Sequence, residues 1–241
     1  MVTRKFLAEG FTASVDYLGW YMEDQGAIEA ATAEYLRLCA ALRELRAEVY
    51  LSLDLTHFGV RSSVERCCDH VRRIADALPG GALIQVGGEA AEDADRVLEA
   101  TVSLADGGAP LMATLQANLR RAAGDAERLA EHRIPVRLVK GAYVESSTAA
   151  YDWGEETDVA YLALAKQLAA AHVPLALATH DPALLSRLLP AIPDASVEVL
   201  LGVRERETRG LAPGRPLRVY VPYGENWFHY FLHRLAEARG A

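Results

Sequence analysis

The C-terminal part of the sequence carries polar residues whose types and spacing suit the binding of an anion. Residues 217–221 include Tyr220 and have the length and the aliphatic content of a buried strand, which Pro222 and Gly224 are expected to end. Asn226 offers an N-cap, and the periodic run 227–239 predicts a helix. At about 100° per residue, one face of that helix carries Tyr230, His233, Arg234 and Glu237.

An arginine on this face has two interpretations. A guanidinium binds a carboxylate through two hydrogen bonds, so Arg234 beside Tyr220 suggests an anion clamp. A solvated face on a last helix has the same spacing, and spacing alone favours this second interpretation.

Charged residues also occur in and after another strand-like run, residues 135–139. Arg137 lies within the run and Lys140 directly follows it, although buried charges are uncommon without a partner or a ligand. Gly141 comes next and would let the backbone approach a ligand closely. An ion pair inside the fold is the alternative explanation for Arg137.

The order of the predicted elements indicates how these residues are positioned. The strand-like runs are residues 12–18, 49–55, 82–86, 111–117, 135–139, 174–178, 196–201 and 217–221. Segments of helical period lie between them, such as residues 27–45, 64–78, 94–104, 125–132 and 158–171. This alternation predicts an α/β fold, a single (βα)8 TIM-type barrel domain over residues 1–241. An open doubly wound sheet is the alternative, but no G-x-G-x-x-G sequence follows any of the strands.

Barrels of this type place their chemistry at the C-terminal ends of the strands. The polar residues predicted at these ends are Asp54, Thr56, His57, Gln85, Gln116, Asn118, Thr179 and His180. Asp181 is expected to cap the helix that follows. Asp16, Glu89 and Glu198 fit equally well as charges on the barrel rim and are assigned no role.

Composition and motif content exclude several classes of protein. A net charge of −8 over 241 residues argues against a nucleic-acid surface. Cys39, Cys67 and Cys68 form neither a disulfide set nor a metal motif, and reduced thiols fit a cytoplasmic location. No apolar run resembles a signal sequence or a membrane span. No metal site is predicted, since the pair His229 and His233 is better explained by the C-terminal helix.

Several motifs resemble those of the flavin-dependent proline dehydrogenases. They are S-L-D-L-T-H-F-G at 52–59, L-Q-A-N at 115–118, R-L-V-K-G-A-Y at 137–143, A-T-H-D at 178–181 and R-V-Y-V-P-Y-G at 218–224 with its aromatic helix. The resemblance implies a (βα)8 barrel that binds FAD and oxidises proline by hydride transfer to flavin N5. The electrons would pass to a quinone or to oxygen. Any contact of the protein with a membrane would be peripheral.

The resemblance also implies roles for individual residues. Those implied to contact FAD are Gln116, Arg137, Lys140, Gly141, Ala142, Thr179 and His180. Arg137 would lie at the reactive part of the flavin, where a cation stabilises the anion that reduction forms. Tyr220 and Arg234 would bound the substrate, an amino acid or amine.

Three positions depart from the family pattern. Asp54 stands where the family has a lysine, Gln85 where it has an aspartate, and His233 where it has the first of two adjacent arginines. Asp54 and Gln85 are expected to meet across the barrel mouth, and the three changes together make the pocket more negative. We therefore expect the substrate-binding set to be Asp54, Gln85, Tyr220, His233, Arg234 and Glu237, and the substrate to differ from proline. A ligand-binding barrel without catalysis and a cofactor-free lyase or isomerase are the alternatives.

Overall fold

The computed structural model describes residues 2–19, 21–45, 49–141 and 143–224. Within these ranges, segments rich in aliphatic residues form eight parallel strands. The strands are β1 (Thr12–Tyr17), β2 (Val49–Leu53), β3 (Ile84–Val86), β4 (Leu111–Gln116), β5 (Val136–Val139), β6 (Leu175–Ala178), β7 (Ser196–Leu200) and β8 (Leu217–Tyr223). Each strand pairs with the next along the chain, and β8 pairs with β1. The closed barrel predicted from the sequence is therefore confirmed.

One helix precedes the first strand, and seven more connect successive strands. They are α1 (Val2–Ala8), α2 (Gln25–Arg43), α3 (Val64–Ala77), α4 (Ala94–Asp106), α5 (Ala122–Glu131), α6 (Glu155–Ala170), α7 (Pro182–Ala191) and α8 (Glu205–Leu211). The Asp181 carboxylate accepts hydrogen bonds from Ala183 N at 2.8 Å and Leu184 N at 3.3 Å, which confirms its role as the N-cap of α7. The helix predicted over residues 227–239 lies outside the described residues.

Strand β8 runs two residues further than the sequence predicted, because Pro222 does not end it. In a parallel strand, residues of the same parity point their backbone groups to the same neighbour. The carbonyl of Tyr220 points toward β7 and accepts a hydrogen bond from Leu201 N. The backbone nitrogen of Pro222 points the same way, but β7 has already ended at Leu200 and offers it no partner. Proline therefore costs no strand hydrogen bond here, and β8 continues to Tyr223, whose carbonyl accepts from Leu18 N at 2.9 Å.

Aliphatic side chains fill the layer between strands and helices. Leu51 and Leu53 of β2 are fully buried and belong to one hydrophobic cluster with Val71 and Ile74 of α3. Burying a side chain of this size stabilises the fold by about 1.5–3 kcal/mol. This shared apolar layer keeps the helices against the strands and fixes the strand ends in space.

The inside of the barrel, in contrast, holds a buried ionic cluster around Glu198 of β7. Gln85 Nε2 donates to both Glu198 carboxylate oxygens, at 2.8 and 3.0 Å. Arg218 Nε lies 3.4 Å from the same carboxylate, and Arg137 Nη1 lies 4.0 Å from it. Strands β3 and β7 face each other across the barrel, so Glu198 neutralises cationic side chains that project into its interior. The ion pair considered for Arg137 from the sequence is therefore present.

Replacing Glu198 by alanine is expected to destabilise the protein by about 3–5 kcal/mol, because removing one partner leaves buried guanidinium charge uncompensated. Denaturant unfolding monitored by circular dichroism measures this change. Glu207→Ala is the matched control, since Glu207 is an exposed glutamate whose nearest cation, Arg204, is 3.8 Å away on the same helix end. We expect the control to change the free energy of unfolding by less than about 0.5 kcal/mol. An equally small effect of Glu198→Ala would contradict the assigned role.

Candidate active site at the barrel mouth

The C-terminal ends of the strands bring most of the predicted site residues to one end of the barrel. Asp54 directly follows β2, Gln116 ends β4, Lys140 follows β5, and Thr179 follows β6. Tyr220 lies in β8, which closes the ring of strands next to β1. Side chains from distant parts of the sequence therefore line one shared opening, as the fold type requires.

Glycines that follow the strands make room for several polar side chains of the mouth. At four glycines, an added Cβ atom would crowd a polar side chain at or just after the end of the adjacent strand, least severely at Gly88, where Gln116 would be 3.2 Å away. The pairs are Gly19 with His57, Gly87 with Asp54, Gly88 with Gln116, and Gly141 with Asn118. At Gly141 the Cβ would lie 2.5 Å from Asn118 Oδ1, so this glycine accommodates Asn118 in addition to any ligand.

The residues predicted to contact the flavin lie on an arc from β4 to β6. Gln116 Nε2 donates to the carbonyl of Glu89 at 2.7 Å, and the backbone N–H of Leu200 donates to His180 Nε2 at 3.0 Å. The hydroxyl of Thr179 accepts from Asp181 N at 3.2 Å. These bonds hold the side chains of the arc in fixed orientations.

Lys140 is anchored by two carboxylates. Its ammonium lies 2.6 Å from Asp158 Oδ1 and 2.8 Å from Asp181 Oδ2. Burial lowers its pKa, but the hydrogen bonds to Asp158 and Asp181 outweigh burial, so the pKa is raised and the side chain stays cationic. The cation is thus held in one place at the end of β5.

The arc also has the chemistry that an anionic, hydrogen-bonding cofactor requires. Lys140 and Arg137 supply cations, and the buried Asn118 Oδ1 has no hydrogen-bond partner among the described residues. Arg137 is oriented by a hydrogen bond from its Nε to Thr114 Oγ1 at 3.0 Å. An unsatisfied buried acceptor next to fixed cations fits a bound group that carries both N–H donors and negative charge.

Carboxylates surround the opposite side of the mouth. Asp16 is buried, and its two oxygens accept from Tyr220 at 2.5 Å and from Tyr35 at 3.0 Å. Burial and then the charge of Asp54 raise the pKa of Asp16 to about 6. Burial raises the pKa of Asp54 to about 6, although Arg137 opposes the shift. Burial also lowers the pKa of His57, so this imidazole adds little positive charge near Asp54, whose Oδ2 lies 3.7 Å from His57 Nε2.

Glu89 is the third carboxylate of this group. Thr56 donates to it through its backbone N–H at 3.0 Å and through its hydroxyl at 3.1 Å. Burial, followed by the charge of Asp54, raises the pKa of Glu89 to about 8. No role was predicted for Asp16 or Glu89 from the sequence, and the available signal was their position near strand ends beside predicted site residues.

The predicted contact between Asp54 and Gln85 is wrong. In the strand register Gln85 pairs with Ser52, two residues before Asp54, so its side chain lies deeper in the barrel and binds Glu198. The residue beside Asp54 is Gly87, where a Cβ would lie 1.7 Å from Asp54 Oδ1. Gln85 is therefore an interior residue beneath the mouth.

Four predicted site residues lie outside the described part of the chain. They are Ala142, His233, Arg234 and Glu237. The carboxylate clamp at Arg234 consequently stays a prediction. Within the described ranges, each helix is too short or too polar to span a lipid bilayer.

Gly141→Ala is expected to cost about 1–3 kcal/mol of stability, because the new methyl group would overlap the Asn118 amide. Gly124→Ala is the matched control, since a Cβ there meets no atom within 4 Å. In helix α5 that change should stabilise the protein by about 0.5–1 kcal/mol. The double variant Asn118→Ala with Gly141→Ala should recover part of the loss in a double-mutant cycle. Additive effects would show that Asn118 is not the obstacle.

The raised pKa values predict that stability falls as the pH rises. The folded-state pKa values of Asp16, Asp54 and Glu89 are about 6, 6 and 8, above those of the unfolded chain. Between the two sets of pKa values, the folded protein therefore binds protons that the unfolded chain has already released. Their contribution is complete below their unfolded pKa values and is lost as pH rises through the folded ones. Unfolding titrations between pH about 4.5 and 8.5 measure the slope, which Glu89→Gln should reduce at its alkaline end. The exposed Glu127→Gln is the control, and an unchanged slope in Glu89→Gln would contradict the assignment.

Comparisons with known proteins agree with this architecture. The family model described as proline dehydrogenase matches residues 2–241. Proline dehydrogenase 1 of Bacillus subtilis subsp. natto is 32% identical over 237 residues, covering 95% of this chain and 78% of that protein. Proline dehydrogenase of Deinococcus radiodurans is 30% identical over 243 residues, with the same two coverages.

Solved structures support the fold. Proline utilization A from Bdellovibrio bacteriovorus, inactivated by N-propargylglycine, superposes with a TM-score of 0.86 at 21% identity. The match covers 97% of this chain, which spans 30% of that longer protein. Orotidine monophosphate (OMP) decarboxylase of Leishmania donovani, with a TM-score of 0.57 at 14% identity, shares the barrel fold alone. Because the family model covers nearly the whole chain and relatives at 30% identity or more are matched over 78% of their length, this chain belongs to the proline dehydrogenase family, whose members are dehydrogenases that act on CH–NH groups.

Proposed function

We propose that the protein is an FAD-dependent dehydrogenase that oxidises the C–N bond of an amino acid or amine related to proline but bearing an additional positive charge. Family membership supports the reaction class. The carbon beside the substrate nitrogen loses a hydride and the nitrogen loses a proton, so that the C–N single bond becomes a double bond. The two electrons finally leave to a quinone or to oxygen.

The observation that carries this proposal is the position of Asp54. Its side chain is 29% exposed at the mouth. The Asp54 carboxylate occupies the space that a side chain at residue 87 would need, and Gly87 leaves that space open. Asp16 and Glu89 lie near enough for the charge of Asp54 to raise the pKa of each, and they add to the density of negative charge when ionised. A carboxylate in such surroundings is stabilised by a cationic ligand group.

The arc on the opposite side suits the cofactor. FAD, when bound, supplies the hydride acceptor. Gln116, Lys140, Gly141, Thr179 and His180 would hold it, together with Ala142. Lys140 is fixed by Asp158 and Asp181 and provides a stationary cation for an anionic part of the cofactor.

Arg137 would stabilise negative charge that develops at the reacting centre. Its Nε is held by Thr114 and its Nη1 lies near Glu198, so the guanidinium needs little reorganisation during the reaction. Arg234 would bind the substrate carboxylate, and Tyr220 would bound the substrate on the side of β8. His233 and Glu237 would complete the polar face of the last helix.

The visible absorption spectrum tests the proposal directly. Purified protein should be yellow, and anaerobic addition of one member of a panel of proline, basic amino acids and cyclic diamines should bleach it. A cationic panel member should bleach it faster than proline does. Bleaching by proline alone would refute the altered substrate, and yellow protein bleached by no member would favour a ligand-binding barrel without catalysis. Colourless protein that takes up no added FAD would refute the flavin assignment.

Asp54→Asn tests the origin of the preference. It should lower kcat/KM for the cationic substrate by about tenfold or more, since losing one ion pair near a partly buried site is worth at least about 1.4 kcal/mol. Turnover of proline should stay within about threefold, because proline has no second cation for Asp54. Asp69→Asn, an exposed aspartate paired with Arg72 on α3, is the matched control. An unchanged ratio of the two kcat/KM values in Asp54→Asn would remove Asp54 from the substrate site.

A further inference from the structure

A cavity between α4 and α5 extends from the outer layer of the barrel to residues of the mouth. Other neighbouring helices pack closely, such as α3 with α4 and α5 with α6, whereas the described residues of α4 and α5 scarcely touch. The space between them has a volume of about 50 Å³. An ion bridge joins the two helices, since the Arg121 guanidinium lies 2.6 Å from the exposed Asp95 of α4 and 2.7 Å from Asp125 of α5.

The lining of the cavity is mainly aliphatic. Its side chains include Ala94, Val97 and Leu98 of α4, Ala113 and Leu115 of β4, and Leu129 of α5. Val97 and Leu98 are only half-buried, although they lie on the face of α4 that turns toward α5. The gap between the two helices therefore leaves apolar surface accessible from outside.

The polar side chains of the lining already have partners within the protein. They are those of Glu89, Thr101, Thr114, Gln116 and Asp125. The Thr101 hydroxyl donates to the Val97 carbonyl at 2.7 Å, and the Thr114 hydroxyl donates to the Val86 carbonyl at 2.6 Å. The other three side chains are held by the hydrogen bonds and the ion bridge described above. A cavity of this kind offers a water molecule few hydrogen bonds and suits a small apolar molecule.

The inner end of the cavity lies directly behind the mouth. Gly87 lines the cavity, and an added Cβ at this glycine would lie 1.7 Å from Asp54 Oδ1. The wall between the cavity and Asp54 is thus one residue thick at this point and carries no side chain. Gln116, which the family resemblance implies to contact FAD, also lines the cavity. A molecule in the cavity is therefore next to the arc that suits the cofactor.

We infer that this cavity admits dioxygen from solvent and delivers it to the reduced cofactor, so that dioxygen is the final electron acceptor. The inference rests on the proposed function, because it requires bound flavin, and it chooses between the two acceptors named there. Dioxygen accepts two electrons and two protons, so that FADH2 and O2 become FAD and H2O2.

The size and polarity of the cavity favour dioxygen over the alternatives. Sites for organic ligands have volumes of about 300–1,000 Å³, so a quinone is too large for this space. A single water molecule needs about 10–15 Å³, so a diatomic molecule fits. Dioxygen is uncharged and apolar, and it gains free energy by leaving water for an aliphatic environment.

Methyl relaxation in solution tests whether dioxygen enters the cavity. Dioxygen is paramagnetic, so it accelerates the relaxation of methyl protons close to it. Spectra of the purified protein are recorded under dioxygen and under nitrogen, without substrate. Leu115 and Leu129 line the cavity, whereas Leu51 and Leu104 are also buried but lie outside it. We expect the enhancement at the two lining leucines to be about threefold or more that at the two controls, because an accessible apolar cavity concentrates the gas.

Two variants test whether the cavity supplies the cofactor. Val97→Phe and Leu98→Phe should each fill the cavity from its half-buried side without displacing a fully buried side chain. The flavin of the holoprotein is reduced photochemically, and its reoxidation is followed by stopped-flow absorption. Both variants should lower the rate constant for dioxygen by about fivefold or more and change that for a soluble quinone by less than about twofold. Val159→Phe, on an exposed position of α6, is the matched control.

The outcomes separate this inference from the proposed function. Equal relaxation enhancement at all four leucines, or unchanged dioxygen rate constants in both variants, would overturn the inference. Equal slowing of dioxygen and quinone would place the effect at the flavin and would also overturn it. Flavin that binds and reacts with dioxygen through the cavity but is bleached by no amine would refute only the proposed oxidation. Protein that takes up no flavin would refute both.

Discussion

The pairing of β1 with β8 is the interaction on which the rest of this structure depends. Six residue pairs, from Thr12 with Arg218 to Tyr17 with Tyr223, join the two ends of the described chain and close the sheet. Closure removes the two exposed edges that an open sheet would have. It also brings Asp16 to Tyr220, although 204 positions separate them in sequence. The acidic side of the mouth is therefore a direct consequence of barrel closure.

Closure also creates an interior that must be filled, and this barrel fills it with charge. Arg218 is stacked on Tyr50 at 3.3 Å and donates to the carbonyl of Ala13 at 3.0 Å, while Glu198 supplies the anion between Arg218 and Arg137. A buried ionic cluster stabilises less than an apolar core of equal volume. Its benefit here is orientation, because Arg137 reaches the mouth from below with its side chain already fixed. The interior thus supports the candidate site at some cost in stability.

The fold could be predicted closely from the sequence because each strand and helix has its own local signal, a pattern of apolar residues or a capping residue. Predicted strand 12–18 and observed β1, Thr12–Tyr17, differ by one residue, and the cap at Asp181 was correct. Contacts across the barrel were less predictable, since they depend on the register of non-adjacent strands. Gln85 illustrates the limit: its type suggested a site residue, but its register with Ser52 places it below the mouth, where it binds Glu198. Gly141 was predicted to let the backbone approach a ligand. In the structure, the Asn118 side chain, which follows β4, occupies the space that a Cβ at residue 141 would need.

The three carboxylates of the mouth set a physical constraint on what can bind there. In the free protein, burial keeps the pKa values of Asp16 and Asp54 at about 6 and that of Glu89 at about 8, and the charge of Asp54 adds to the effect on Asp16 and Glu89. Protons therefore partly neutralise the cluster near pH 7. A cationic ligand would take over this neutralisation, because its charge favours the ionised carboxyls. Binding would then release protons, and affinity would rise with pH over the range in which the carboxyls titrate. An anionic ligand part would add to the repulsion, so it must point away from Asp16 and Asp54. The charge distribution of the mouth would therefore orient a zwitterionic ligand before any contact is made, with its positively charged group toward β1 and β2 and its carboxylate away from them.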